Sequence, residues 1–411
     1  MTETNEIPSR WIYRRLHLEP VYARSTIRFL IILALLEFAR NGLYFGHLNI
    51  LAEHAPTVTL GWIGALASIH FLTDTIGRGP GGYGVQKFGL GPMMLVSATL
   101  ALISAGALLM LEQPIFMLMA ALLHGASAAP WFPGIMAQVK RSVKPGYQAL
   151  VLGLVFAALG PCYMAGWLII GTLTRHHVAW GAGGILISQL LALGLALASC
   201  KDRHASGIGF HPLETLWRLR HQLRWLTPAG FTQMFAGAMF GPLIWAYLDL
   251  LHMKTAHLLV GGGLFGAIMV GSLHRAGHWV ERRGARSPLI LGYLCSALML
   301  FGMMPPPAWW QAALALAAGG IGFALIFPAW NGMVITQLPD RQLETAWGAL
   351  MTIEGLGMAV GPVIGTCLWQ YSPQAPFIMG GSVYLLVALF YYFKPMPTQP
   401  SPPGSHRGSV E

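Results

Sequence analysis

Twelve stretches of largely apolar residues recur along this 411-residue chain, at 27–50, 60–85, 92–110, 115–139, 148–171, 180–199, 227–250, 258–279, 288–304, 310–335, 347–371 and 376–393. Each is close to the roughly twenty residues that a helix needs to cross the hydrocarbon core of a bilayer. Only 10% of the residues are charged, against about 25% in a soluble domain, and mean hydropathy is +0.57. Lipid offers no hydrogen-bond partners, so a lipid-exposed run must satisfy its own backbone, as a helix does. An all-α membrane protein of twelve transmembrane helices is expected. The first run does not read as a cleaved leader: it follows a polar segment, carries Glu37 and lacks a small-residue cleavage pattern.

The formal net charge of +10 is topological rather than a nucleic-acid signal. With the N-terminus inside, twenty-one Lys and Arg residues fall on that side and only Arg175 and Lys254 on the other; Arg40 and Arg78 lie within spans. Cytoplasmic loops carry the Lys/Arg excess, so both termini are expected in the cytoplasm, with no nucleic-acid partner.

Five segments follow from this pattern. Residues 1–26 read as a basic cytoplasmic segment lying on the membrane surface, and 27–199 as an N-terminal six-helix bundle. Residues 200–226 read as a cytoplasmic linker in which Leu213, Leu216, Trp217, Leu219, Leu223 and Leu226 alternate with basic residues, as on an interfacial helix. Residues 227–394 form a second six-helix bundle. Residues 395–411, rich in Pro, Ser and Gly, read as a disordered cytoplasmic tail. Cys162, Cys200, Cys295 and Cys367 are widely separated and form neither a metal spacing nor a disulfide framework.

Against this background the polar residues inside spans carry the information. Glu37, Arg40, Asn41 and Tyr44 fall within about a 100° arc of the first helix. A charge at bilayer depth costs at least roughly 2.5–3.5 kcal/mol, so it faces a partner, a cavity or a pathway. Glu37 with Arg40 is either a structural ion pair or a carboxylate that exchanges protons beside a guanidinium. His70 and Asp74 share a face of span two at i and i+4. They form either a local hydrogen bond or a second acid in a proton path, with His70 as relay or substrate contact. Arg78, one turn on, is expected at the cytoplasmic mouth with its head in water. Glu354 lies mid-span without an obvious partner on its own helix, and structural and functional roles weigh equally. Asp249 and His124 are expected to be structural. Trp131, Trp167, Trp245 and Trp330 are either packing residues or platforms for sugar rings.

The two halves repeat. Gly82-Tyr83-Gly84-Val85-Gln86-Lys87-Phe88-Gly89 follows span two, and Gly277-His278-Trp279-Val280-Glu281-Arg282-Arg283-Gly284 follows span eight. A second echo pairs Gly160-Pro161 on span five with Gly361-Pro362 on span eleven, where Gly357, Gly361 and Gly365 allow close helix packing. The paired turns resemble the signature loop of the major facilitator superfamily. The resemblance implies the major facilitator fold, two six-helix bundles around a central site, and gating roles for Gln86, Lys87, Gly89, Glu281, Arg282, Arg283 and Gly284. Gln86 departs from the acidic residue usual there, and Phe156 departs from the Gly expected in the span-five motif.

Four further segments are similar to a narrower group within that superfamily: Glu37-Phe38-Ala39-Arg40, Ser68 to Asp74, Pro328-Ala329-Trp330-Asn331, and Glu344-Thr345-Ala346-Trp347-Gly348 leading to Gly361-Pro362. They resemble proton-coupled flippases that move the glycolipid anchor of lipoteichoic acid across Gram-positive membranes. The resemblance implies a polar N-terminal cavity lined by Glu37, Arg40, Asp74 and Trp131, and a more apolar C-terminal half suited to lipid tails. Glu354 departs from the uncharged amide expected there.

Together these readings assign proton coupling to Glu37, Asp74 and Glu354, and substrate contact to Arg40, Asn41, Tyr44, His70, Trp131, Trp330 and Asn331. The expected protein is a monomeric, non-enzymatic secondary transporter of a bacterial cytoplasmic membrane, with protons and a glycolipid as partners. A proton-coupled exporter of drugs or small solutes is the alternative. No phosphate-binding loop, metal cluster or nucleophile–base pair is apparent, so no cofactor is expected and a gradient must supply the energy.

Overall fold

The computed structural model describes residues 18–52, 59–110, 113–144, 148–202, 214, 217–337 and 343–394. Most of the 1–26 segment, residues 203–213, 215 and 216 of the 200–226 linker, and the 395–411 tail lie outside the described residues, as do the side chains of Glu344 and Trp347.

The described chain is helical apart from short connections and one isolated bridge between Leu18 and Val143. Span one is α1 (Pro20–Asn41), a π-helical segment (Gly42–His47) and α2 (Leu48–Ala52) in series. Spans two and three are α3 (Leu60–Phe88) and α4 (Leu90–Met110). Span four is α5 (Pro114–Ala128) running into α6 (Trp131–Ser142). Spans five and six are α7 (Gln148–His176) and α8 (Val178–Ser199). Span seven is α9 (Arg220–Phe240), a 3-10 turn (Gly241–Leu243) and α10 (Ile244–Leu250). The rest are α11 (Thr255–Arg283), α12 (Arg286–Gly302), α13 (Trp309–Gln337), α14 (Leu343–Tyr371) and α15 (Ala375–Phe393). Seven helices among the described residues are long and apolar enough to cross a membrane by length and composition. Spans one, two, five, seven and nine are not among those seven; spans one and two carry Glu37, Arg40, Asp74 and Arg78.

Helix packing repeats with an offset of six spans. In the first half α1 packs on α7, α3 on α5, and α4 on α5 and α8; in the second, α9 packs on α14, α11 on α13, and α12 on α13 and α15. The structure is thus two six-helix bundles of like design. Small residues set one of these contacts: side chains at Gly357, Gly361 and Gly365 would collide with the backbone of α9 at Phe231, Phe235 and Met239, so α14 lies against α9 through its glycine stripe. The repeat extends to the signature turns. Gly89 and Gly284 close α3 and α11 with φ of 89° and 78°, a conformation that favours glycine because it lacks a Cβ.

Span seven differs from the sequence expectation. α9 starts at Arg220, so Leu219, Leu223 and Leu226, expected on an interfacial helix, lie at its start and are buried in the C-terminal core. Burying a run of leucines against helices stabilises more than leaving it at a lipid surface that is already partly wet, and the basic residues between them still reach outward.

The bundles meet chiefly where α3 packs on α14. Gly61 abuts Gln370, Gly64 abuts Thr366, and Gly355 abuts Thr75. The Val363 N–H, next to the helix-bending Pro362, donates to Ser68 Oγ at 3.1 Å. At the end of the molecule opposite the termini, Trp245 Nε1 donates to the Phe45 carbonyl at 2.9 Å, and Arg175 pairs with Asp249 at 2.5 Å. Asp249 thus belongs to an ion pair between bundles.

Candidate functional site

α1 brings Glu37, Arg40 and Asn41 onto one face by their 3- and 4-residue spacing. Arg40 Nη2 lies 2.7 Å and 2.5 Å from the two Glu37 carboxylate oxygens, and Asn41 Nδ2 donates to Glu37 Oε2 at 3.3 Å and to the Glu37 carbonyl at 2.9 Å. The helix then widens into the π-helical segment from Gly42 to His47. Such bulges are frequent at functional sites. This one turns Tyr44 off the regular 3.6-residue periodicity into the bundle.

α3 supplies the second carboxylate. Asp74 Oδ2 accepts from Arg40 Nη1 at 3.3 Å and from Arg78 Nη2 at 3.3 Å, while Asp74 Oδ1 lies 3.5 Å from Arg78 Nε. Arg78 Nη1 reaches across to the Met351 carbonyl of α14 at 2.5 Å. Glu37, Arg40, Asp74 and Arg78 therefore form one alternating chain of charges leading from α1 into the C-terminal bundle. Their exposures are 0%, 3%, 1% and 3%. In so desolvated a position only mutual pairing makes four charges tolerable. Two sequence expectations are corrected here. Arg78 is not at a wet mouth, because Asp74 and the Met351 carbonyl hold its head inside. The residues also do not line an open cavity: the charge chain is closed off from solvent.

His70 and Asp74 share a helix face but make no hydrogen bond with each other in the structure. His70 packs with Tyr44 (4.5 Å between ring centroids) and with His124 (4.9 Å), and Tyr44 Oη lies 3.3 Å from His124 Nδ1. The His70–Tyr44–His124 group sits one turn along α3 from Asp74. Trp131, at the start of α6, lies with its ring 5.3 Å from the Arg40 guanidinium, and its Nε1 donates to Ser97 Oγ at 2.5 Å. Phe71 takes up another face of Arg40 at 5.3 Å, and Phe132 lies 4.8 Å from the Arg78 guanidinium. These aromatic faces attract cations and exclude water around them.

In the other bundle, Glu354 on α14 accepts from Gln233 Nε2 of α9 at 3.1 Å and has a second hydrogen bond with the Trp330 side chain. Its partners come from other helices, which is why its own helix shows none. Arg78 is the charged neighbour that acts on it across the bundle interface. Trp330 therefore joins this group. Asn331 does not: its Nδ2 donates to the Phe327 carbonyl of its own helix at 3.0 Å. The signature loops stand apart from the charge chain. Gln86 is half-buried, Lys87 is exposed with its ammonium 5.3 Å from the Phe88 ring, and Arg282 and Arg283 are exposed. Glu281 lies 3.2 Å from His278 of the same helix.

Sequence reasoning missed Arg78 as a bridge, Met351 and Gln233 as partners, and His124 as part of the polar cluster. Only the last had a sequence signal, its seven-residue spacing ahead of Trp131. A cleft between the bundles, lined by Asn49, Ala52, Leu60, Pro242, Ala246 and Asp249, lies away from the charges: Asn49 is twelve residues beyond Glu37, about 18 Å along a helix. Among the described residues no group of three or more His, Cys, Asp or Glu is placed to hold a metal.

The family model of the Major Facilitator Superfamily matches residues 29–309 and 275–410. Among curated proteins the chain is 23% identical over 381 residues to the proton-coupled antiporter flippase LtaA of Staphylococcus haemolyticus, covering 88% of this chain and 92% of the relative. It is 24% identical over 387 residues to the LtaA of Staphylococcus aureus (strain USA300), covering 90% and 94%. Among solved structures, the peptide transporter POT in complex with sulfate superposes with a TM-score of 0.70 at 14% identity, over 94% of this chain and 98% of that one.

Proposed function

The chain belongs to the major facilitator superfamily, and from that premise we propose that it is a proton-coupled antiporter that flips a glycolipid from the inner to the outer leaflet. The substrate of this reading is a diacylglycerol-linked disaccharide of the kind that anchors lipoteichoic acid. The setting is a bacterial cytoplasmic membrane with both termini in the cytoplasm, and the working unit is a monomer without enzymatic activity. The names of the curated relatives support the proton coupling, the antiport and the flipping. The single observation that carries the reading is the sealed chain Glu37–Arg40–Asp74–Arg78, in which carboxylates and guanidiniums alternate and Glu37 at its end meets Arg40 alone.

The chemistry follows from charge balance. Ionised Glu37 holds Arg40 by a two-oxygen contact. A proton on Glu37 removes that charge–charge attraction and leaves Arg40 to Asp74 or to an incoming hydroxyl. Such a step drives transport only if the two facings of the protein hold the proton with different affinity. Interior polarity is divided to match an amphiphile. Among the described residues, buried Glu, Asp, Arg and His side chains lie between Glu37 and His124, while the second half buries Thr232, Ser296, Thr352 and Thr366 and has Glu354 as its one interior acid. Sugar hydroxyls suit the first set and acyl chains the second.

The test is flipping of a fluorescent diglucosyl lipid in proteoliposomes with and without an imposed pH gradient. Gradient-dependent flipping that a free gluco-disaccharide inhibits is expected. Absence of flipping, with proton release on adding lipophilic cations, would replace the lipid by small solutes as cargo.

A further inference from the structure

The division of the interior into a charged half and an apolar half has one exception, and that exception has room beside it. Glu37, Arg40, Asp74 and Arg78 are at most 3% exposed, whereas Glu354 and Gln233 are half-buried. On α14 the exposed residues Leu356 and Val360 lie about 200° and 240° round the helix from Glu354. Met351, whose carbonyl Arg78 of α3 holds, lies only about 60° from it. The open side of Glu354 is therefore turned inward, toward the N-terminal bundle. The matching stripe of α9 runs through Gln233, Gly237 and on to Gly241, each about one turn from the last. A side chain at Gly241 would collide with Phe45 of the N-terminal bundle, which fixes the direction the stripe faces. Gly237 is exposed, and nothing lies within 4 Å of a Cβ built there. The bundles thus touch at Gly241 and stand apart at Gly237, one turn from Gln233.

Three helices converge on Glu354. A Cβ at Gly230 of α9 would lie 3.0 Å from the Trp330 ring of α13 and 3.7 Å from Glu354 Cγ, so glycine there lets both side chains approach α9. Gln233 Nε2 donates to Glu354 Oε1 at 3.1 Å, and the Trp330 side chain supplies a second hydrogen bond. The indole only donates, and a carboxylate has about four lone-pair sites. Glu354 therefore receives both of these bonds and has about two sites left. The Gln233 amide oxygen is a further acceptor. Acceptor sites left unfilled in a dry interior are costly, and a ligand rich in O–H donors fills them.

We propose that Glu354 accepts hydroxyls of the cargo's headgroup, held in position by Gln233 and Trp330, and so gives the second bundle a sugar subsite of its own. The inference rests on the glycolipid reading above and assigns Glu354 to the cargo rather than to the proton path. With the charges of α1 and α3 sealed, a headgroup between the bundles meets Glu354 first. The hydrogen bonds it makes there are charge-assisted, which strengthens them about twofold over neutral ones. The remainder of the second half keeps its apolar lining for acyl chains.

The experiment measures binding of a fluorescent diglucosyl lipid to the full-length chain in one detergent at one pH. The bound lipid is displaced by a free gluco-disaccharide or by sugar-free diacylglycerol, and each competitor's inhibition constant is corrected for the affinity of the probe. In Glu354→Leu the constant for the disaccharide is expected to rise about 10- to 100-fold, the range for a hydrogen bond to a charged group, with that for diacylglycerol unchanged. Gln233→Leu leaves Glu354 in place without its amide partner, and a smaller rise of the same kind is expected. Glu354→Gln keeps the shape and loses the charge; a rise of several-fold is expected, and it is the variant to read if Glu354→Leu does not fold. A disaccharide constant unchanged in the folded Glu354 variants would overturn the subsite. An equal rise for both competitors would also overturn it, because damage to the bundle does not distinguish sugar from acyl chain. An unsubstituted chain that does not bind the diglucosyl lipid, or does not release it to the disaccharide, would overturn the glycolipid reading and the subsite with it.

Discussion

Arg40 and Arg78 are held at the same distance, 3.3 Å, from a single oxygen, Oδ2 of Asp74. One carboxylate therefore offsets parts of two buried guanidiniums from different helices. Glu37, by contrast, faces Arg40 alone.

That asymmetry ranks two otherwise similar substitutions. Removing one partner of a buried ion pair costs about 3–5 kcal/mol because a charge is left unpaired. Asp74→Asn leaves Arg78 without a carboxylate and Arg40 with Glu37 only, whereas Glu37→Gln leaves Arg40 its Asp74 contact and does not touch Arg78. Thermal unfolding of the purified variants in one detergent is expected to show the larger loss for Asp74→Asn. An equal or reversed order would refute the shared-carboxylate arrangement.

Glu37→Gln retains an acceptor oxygen for the Asn41 amide but cannot exchange a proton. Flipping driven by a pH gradient is expected to fall to the no-gradient level, while exchange between leaflets without a gradient continues. Full gradient-driven flipping in this variant would remove Glu37 from the proton path.

Gly89 and Gly284 end equivalent helices at positive φ. With ψ of 162° and 169°, alanine at either position must hold an extended positive-φ conformation essentially reserved for glycine, at a cost of about 1–3 kcal/mol. Nothing lies within 4 Å of a Cβ built at Gly284, so the loss at Gly284→Ala is backbone strain alone. Both variants are expected to lower the unfolding temperature of detergent-solubilised protein; an unchanged value would show that the turns adopt another backbone in the membrane.

Gly61 and Gln370 touch between the bundles near the ends of α3 and α14. In a background without the native cysteines, Gly61→Cys with Gln370→Cys is expected to cross-link under oxidation and stop transport, with recovery on reduction. Transport by the oxidised, cross-linked pair would show that this end need not open in the cycle.

Trp131 combines a hydrogen bond to Ser97 with a ring face toward Arg40. Trp131→Phe keeps the face and loses the bond, at about 1 kcal/mol, whereas Trp131→Ala also opens a cavity, at roughly 3–5 kcal/mol. If transport follows stability across the pair, Trp131 is a packing residue. If Trp131→Phe keeps its stability but loses transport, the indole serves the cargo.

The sequence alone determined the features that depend on near neighbours. Runs of apolar residues at bilayer length defined the spans, the repeated glycine turns revealed the two halves, and the three-residue spacing of Glu37 and Arg40 paired them. Where residues on different helices must meet, the sequence carried no such signal. Asp74 lies 34 residues from Arg40, Gln233 lies 121 from Glu354, and Arg78 lies 273 from Met351. Arg78 read from its own helix looks like a side chain reaching for water, and Asn331 read from its segment looks like a site residue. Helix periodicity says which face a residue occupies. Only the packing of helix on helix, set by glycines and bends such as Pro362, decides what that face meets. The tertiary structure thus decided that the charges form one sealed chain, and that Arg78 carries it from one bundle to the other.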